Sequence, residues 1–338
     1  MVPLLSLSRL FALGLLASQA IAASIYTDYV FAFFTGENSA DGEQIYLAVS
    51  NNNSPASWTL INGGKPVLTS TVGTKGVRDP TIVRSKDGSK FWILATDLKI
   101  FGNGDWNAAS RTGSRSIVVW ESSDLKTWSG PNLVQVSPAT AGSTWAPEAV
   151  YDPASGSYMA FWASKLYPES DPAHATTSYY RILKSKTSDF KTFSTPEVWI
   201  NTGSSVIDTT VVFDSQSNKY YRFSKDERSG TPNGKFIFQE SGSSLSGPWT
   251  PVKEGIGKGT IARGEGPTVF QSNTDENLWH MLIDEFGSRG YVAFETTNIA
   301  AGDWKPSTGY VLPKRPRHGS IIPITAAERA ALLSVQKI

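Results

Sequence analysis

The 338-residue chain has no cysteine and only three histidines. The first absence excludes disulfides, thiolate zinc sites and cysteine nucleophiles. The second leaves His174, His280 and His318 too scattered to form a metal triad by spacing. Charge is scarce as well: charged residues make up 18%, the formal net charge is +1, and neither sign is gathered into blocks. No electrostatic footprint for nucleic acid or an anionic membrane is visible, and a neutral polar partner fits better. After the first two dozen residues, no apolar run is long enough to span a bilayer. Crosslinks are not needed at this size, because a domain of about 300 residues buries roughly three quarters of its unfolded surface.

Aromatic residues reach 12%, and 29 glycines and 19 prolines punctuate the chain. That mixture suits many short strands joined by tight turns. The first segment, "MVPLLSLSRLFALGLLASQAIAAS", has an early Arg9, an apolar run through Leu16 and small residues at Ala20, Ala22 and Ala23. It predicts a secretory signal over residues 1–23, hence an extracellular protein whose mature part, 24–338, is one domain. Asn52-Asn53-Ser54 is a glycosylation sequon.

A unit of strand, polar turn and aromatic recurs five times, ending at Trp58, Trp128, Phe193, Trp249 and Trp304. An aromatic-rich strand precedes each copy: "YVFAFFTG", "FWILATD", "YMAFWAS", "YYRFSKDE" and "LWHMLIDE". Before four of these lies a further short strand opening on a polar residue: "DPTIV", "PEAVYD", "DTTVVFD" and "EGPTVF". The N-terminal copy lacks that leading strand, and the C-terminal "HGSIIPI" is a spare. Four-stranded units repeating every 53 to 70 residues predict an all-β, five-bladed β-propeller. The C-terminal strand should close the ring by joining the N-terminal blade. A β-sandwich would not pair a missing strand at one end with a spare at the other.

In that arrangement Asp79, Glu148, Asp208, Glu265 and His318 open the five inner strands, and all should meet at the channel mouth as equivalent positions. Converging ionisable groups in a partly enclosed cavity shift one another's pKa values. Two carboxyls across a small cavity suit glycoside hydrolysis, where one protonates the departing oxygen and the other activates water or attacks the sugar. Asp97, Asp226 and Asp284 end second strands and read as structural hydrogen-bonding groups.

The series "RDPTIV", "WAPEAVYD", "IDTTVVFD", "EGPTVF" and "RHGSIIPI" resembles glycoside hydrolase family 43, five-bladed propellers that include α-L-arabinofuranosidases, arabinanases and β-xylosidases. The resemblance covers nearly all of the mature chain. It implies an inverting mechanism with Asp79 as general base, Glu265 as general acid and Asp208 raising and orienting the acid. It also implies calcium or another ion in the channel near His318, held directly or through water, while the chemistry itself needs no cofactor. The family's base lies nearer the mature N-terminus than Asp79 does, which makes Asp28 in "YTDYVF" a rival.

Trp145, Glu148, Arg289 and Trp106 are candidate sugar contacts, with Trp106 in a Gly-rich loop at the channel rim. For Trp145 the alternative is core packing, and for Arg289 a surface ion pair. Loops near Gly102–Arg115 and Pro168–Ser178 could close one end of the channel, as exo action on a terminal sugar requires. The resulting expectation is a secreted, monomeric α-L-arabinofuranosidase acting on plant cell-wall arabinan or arabinoxylan. Endo-arabinanase, β-xylosidase and galactofuranosidase activities are alternatives, as is a non-catalytic carbohydrate-binding propeller. A fructan-cleaving propeller is disfavoured because its nucleophile motif, its cysteine-containing acid motif and its extra sandwich domain are missing.

Overall fold

Segments such as "VFAFF" and "FWILA" are apolar at every position rather than at alternate ones, so strands made from them must be covered on both faces. The computed structural model, which describes residues 25–102 and 104–335, meets that demand with five four-stranded antiparallel sheets standing around a channel. Blade 1 holds β1 (Asp28–Phe34), β2 (Tyr46–Asn52) and β3 (Ser54–Leu60). Blade 2 holds β4 (Val77–Arg84), β5 (Phe91–Asp97), β6 (Ser116–Ser122) and β7 (Trp128–Gln135). Blade 3 follows with β8 (Trp145–Asp152), β9 (Ser157–Lys165), β10 (Tyr180–Thr187) and β11 (Glu197–Ile200). Blade 4 is built from β12 (Val206–Asp214), β13 (Lys219–Asp226), β14 (Ile237–Gly242) and β15 (Trp249–Ile256). Blade 5 comprises β16 (Glu265–Gln271), β17 (Trp279–Glu285), β18 (Gly290–Thr296) and β19 (Lys305–Pro306).

The last strand, β20 (Arg317–Ile324), pairs antiparallel with β1 and becomes the inner strand of blade 1. The predicted closure is therefore the observed one. The expected leader, residues 1–23, lies outside the described residues. Among the described residues, no helix is long and apolar enough to cross a membrane.

Each second strand feeds two hydrophobic seams. Ile93 and Ala95 of β5 pack toward blade 1 with Val30 and Leu47, whereas Trp92 and Leu94 of the same strand pack toward blade 3 with Tyr158 and Trp162. The seam between blades 3 and 4 contains Phe161 and Tyr220, that between 4 and 5 Phe223 and Met281, and that between 5 and 1 Phe31 and Tyr291. Burying a large apolar side chain contributes about 1.5–3 kcal/mol, so the aromatic content of the second strands holds the ring together.

A helix not anticipated from the sequence locks the closure. Helix α2 (Ala326–Leu333) starts on a capping box: Thr325 Oγ1 accepts from Glu328 N at 3.3 Å, and Glu328 Oε2 accepts from Thr325 N at 2.8 Å. Glu328 also pairs with Arg84 of β4, Arg329 pairs with Asp28 at 3.0 Å, and Leu332 is buried in the seam between blades 1 and 2. Glu328→Ala should remove cap and ion pair together and cost about 1–2 kcal/mol in urea unfolding. An unchanged midpoint would mean that α2 contributes nothing to closure.

Candidate active site

All five inner strands carry an irregularity at the same register. Pairing shifts between Arg78 and Thr81, Trp145 and Glu148, Ile207 and Thr210, Glu265 and Thr268, and between the residues paired with Arg317 and Ser320. Each is a bulge in which two residues oppose one, and it re-aims a side chain toward the channel mouth. Asp79, Ala146, Asp208 and Gly266 occupy equivalent bulge positions at φ of 50°, 48°, 53° and 53°; His318 is their counterpart in blade 1. A side chain at positive φ is strained, and such strain concentrates at functional sites. Gly266 is glycine for a further reason, since a Cβ there would lie 2.5 Å from the His318 ring.

This geometry corrects the expectation of five equivalent ionisable positions. Asp79, Asp208 and His318 sit on the bulge, Glu265 one residue before it, and Glu148 two residues beyond it. Glu148 therefore lies under the mouth, level with Thr81, Thr210, Thr268 and Ser320. These five line a cavity of about 1080 Å³ that opens at the other end of the channel, beside Phe213.

At the mouth, the side chains from three blades meet around one imidazole. His318 Nδ1 stands 3.5 Å from Asp79 Oδ1 and 3.8 Å from Asp208 Oδ1. Asp79 Oδ2 accepts from Thr96 Oγ1 at 2.8 Å, and Thr96 in turn accepts from Ala146 N at 2.8 Å. Asp208 Oδ2 accepts at 3.0 Å from the backbone of Gly266, the residue after Glu265. Glu265 accepts from Lys225 Nζ at 2.8 Å on Oε2 and from Arg317 Nη2 at 3.0 Å on Oε1. Arg317 is anchored in turn by Nε to Asp284 at 2.5 Å.

Burial raises the Asp208 carboxyl to about 7; nearby Glu265 and Asp79 add to the rise, while His318 and Lys225 oppose it. Burial also raises Glu148, to about 8, against the pull of His318. His318 is favoured as imidazolium: burial works against the charge, but Asp208, Asp79, Glu148 and Glu265 outweigh it. For Glu265 burial is again the largest influence and disfavours the charge, yet Lys225 and Arg317 together hold it below the usual carboxylate range. The site thus favours protons on Asp208 and Glu148, not on Glu265.

Two aromatics flank Asp79. Trp106 is not in a loop, as expected, but opens the short helix α1 (Trp106–Arg111), capped by Asp105. Its ring is 42% exposed, lies edge-on to Trp145 at 6.2 Å and sits over the Arg78 guanidinium at 4.8 Å. Trp145 is half-buried, stacks on Tyr180 at 5.1 Å and immediately precedes the Ala146 bulge. Residues 104–115 and 168–178 are tied together, with His174 Nδ1 2.6 Å from Arg111 O and Arg111 donating to Thr176 O at 3.0 Å. That binding accounts for His174, and His280 is held by Tyr310 and Glu295.

Other expectations separate here. Asp28 pairs with Ile324 at the far end of β1 and with Arg329, so it cannot serve as the base. Arg289 is exposed and engaged by Glu285 at 2.5 Å and Thr260 O at 2.8 Å, the surface ion pair considered for it. Asp97 and Asp226 are structural, binding Thr74 and Arg228, whereas Asp284 belongs to the site through Arg317. Among the described residues, no three acidic or histidine side chains are grouped to take a metal. The ion implied near His318 has no set of direct protein ligands, and no step below depends on it. Thr96, Lys225 and Arg317 join the site without having been expected from the sequence, although a buried second strand that carries both Arg222 and Lys225, and the arginine preceding "HGS", were visible signals.

The family model described as "Probable glycosyl hydrolase domain", related to glycosyl hydrolase family 43, matches residues 24–330. The chain belongs to this family. An α-L-arabinofuranosidase of Bifidobacterium longum subsp. longum is 32% identical over 306 residues, which cover 81% of this glycosyl hydrolase chain and 28% of the relative. The fold is shared with a Penicillium chrysogenum α-L-arabinanase complexed with arabinobiose, at a TM-score of 0.53 and 14% identity over 90% of this chain and 94% of that one. It is shared also with a family 43 β-1,3-galactosidase, at a TM-score of 0.52 and 13% identity over 79% and 54%.

The buried acid makes a stability prediction. An unfolded aspartate titrates near 4, about three units below Asp208 in the folded protein. Between those values the folded state binds more protons, so this group makes stability fall as pH rises from about 4 to 7. Asp208→Asn should therefore gain more over the parent at pH 8 than at pH 4, by several degrees in Tm at roughly 2–4 °C per kcal/mol. Equal gains at both pH values would contradict the burial of this carboxyl.

Proposed function

We propose that this glycosyl hydrolase is an inverting, exo-acting α-L-arabinofuranosidase that trims terminal sugars from arabinan or arabinoxylan. The observation carrying the reading is the meeting of Asp79, Asp208 and Glu265, from three blades, at one mouth around His318. Likeness to the B. longum α-L-arabinofuranosidase supports the choice of sugar. The joining of segments 104–115 and 168–178 through Arg111, His174 and Thr176 supports the reading of attack on a chain end, since such a wall can close one side of a groove. Trp106 and Trp145 offer the apolar faces that a furanose ring can lie against.

Asp79 is the base. Its Oδ2 is held by Thr96, leaving Oδ1 to take a proton from the attacking water, with His318 nearby to stabilise the carboxylate. Glu265 gives its proton to the glycosidic oxygen as the bond breaks, and one water is consumed with inversion at the anomeric carbon. Asp208 holds a negative potential or a proton beside the acid, according to its own titration. Secretion by the leader over residues 1–23 would bring a protein without cysteine to wall polysaccharide, acting as a monomer.

A screen against aryl arabinofuranoside, galactofuranoside and xyloside alongside linear arabinan should pick out the arabinofuranoside, with the β-anomer first formed from the α-glycoside when followed by NMR. Asp79→Asn should lose roughly 10²–10⁴-fold in kcat on every substrate. Glu265→Gln should lose as much on polysaccharide, yet far less on an aryl glycoside whose leaving group needs no proton. A retained anomer, or losses for Glu265→Gln that ignore the leaving group, would refute these roles.

A further inference from the structure

Glu265 is gripped from both neighbouring blades. Lys225 of blade 4 occupies Oε2 and Arg317 of blade 1 occupies Oε1. A carboxylate that accepts from a cation on each oxygen is held in its ionised form and resists taking up the proton that a general acid must give. An acid in this place must first be released on one side.

The two grips are not alike. Lys225 is 2% exposed, bonded also to Glu227 at 2.5 Å, and set 4.1 Å over the Phe286 ring. Burial and these contacts hold it in place. The Arg317 side chain is 19% exposed and is fixed by Nε to the fully buried Asp284, so its Nη2 can leave Glu265 while the anchor stays. The groups facing Glu265 are Lys225 on β13, Asp208 on β12, Asp284 on β17 and Arg317 and His318 on β20, with Glu227 behind the lysine.

We propose that Lys225 and Arg317 form a latch on Glu265 that the substrate opens: a hydroxyl of the arriving sugar takes the Arg317 Nη2 donor, and Oε1 is freed to carry the catalytic proton. Lys225 is the positioning residue that keeps Oε2 fixed while this happens. The inference rests on Glu265 being the general acid. The proton enters from solvent as the guanidinium leaves and passes from Oε1 to the departing glycosidic oxygen. The proton that Asp79 takes from water returns to solvent on product release, after which Arg317 rebinds the carboxylate. The site is thereby armed only when a sugar with a correctly placed hydroxyl is present, which makes Arg317 a discriminator as well.

The test compares pH profiles on an arabino-oligosaccharide, whose departing sugar hydroxyl needs the proton of the acid. In the parent, the alkaline limb of kcat, which reports the complex, should lie about one pH unit or more above that of kcat/KM, which reports the free enzyme. Lys225→Met should move the kcat/KM limb upward by a similar amount, whereas Lys225→Arg should leave it in place. Coincident limbs in the parent would overturn the substrate-driven release, and that measurement needs no variant to fold. A kcat/KM limb unmoved in folded Lys225→Met would overturn the role of the lysine. Should Glu265→Gln lose equally on good and poor leaving groups, it is the acid assignment itself that falls, whatever the limbs do.

Discussion

One constraint on the backbone organises the whole mouth of the propeller: every inner strand bulges at the same register. Regular strands would send alternate side chains into the seams on either side, and a carboxylate there would face only Trp, Phe and Ile. The bulge lets a strand whose ends are buried in seams turn one residue out of alternation and toward the channel. Chain closure by β20 supplies the fifth such turn, which puts His318 between Asp79 and Asp208. Without that pairing, the imidazole that sits between the two acids would be missing.

The strain at Asp79, Ala146 and Asp208 is held by the packing beneath it. Thr96 shows how: its hydroxyl takes the Ala146 amide and gives its proton to Asp79, so one buried side chain satisfies the bulges of two blades at once. Gly266 does the same between blades 4 and 5 by donating to Asp208. Orientation of the carboxyl groups at the mouth thus comes from neighbours in the ring as well as from their own strands. Conversely, the seams tolerate no slip, since a one-residue shift would send every side chain to the wrong face.

The ring, its closure and the convergence of Asp79, Asp208 and Glu265 were legible because each depends on local pattern: fully apolar second strands, turn residues before each aromatic, and a polar residue opening four strands. What escaped was register. "WAPE" and "EGP" look alike as strand starts, yet Glu148 lies two residues beyond its bulge and Glu265 one before, and only pairing with β9 and β17 reveals it. Lys225 and Asp284 were hidden for the same reason. They occupy matching positions on second strands, opposite Ile207 and Glu265, where alternation alone cannot say which residue meets a neighbouring blade. Helix α2 was readable from Thr325 and Glu328, three residues apart before an alanine-rich run, but the repeat ended at β20 and drew attention away from it.

The charges around the channel explain why the protons rest where they do. Asp79, Glu148, Asp208, Glu265 and Asp284 face Lys225, Arg317 and His318, and Lys225 also binds Glu227. The acids outnumber the cations, and an enclosed cavity resists that excess. Burial favours protons on Asp208 and Glu148, neither of which accepts a hydrogen bond from a cation. Glu265, held by two cations, resists protonation while both grips are closed. The resting order of proton affinities is therefore set by which carboxyls the ring supplies with cations, and it can be reversed at Glu265 only by taking one of those cations away.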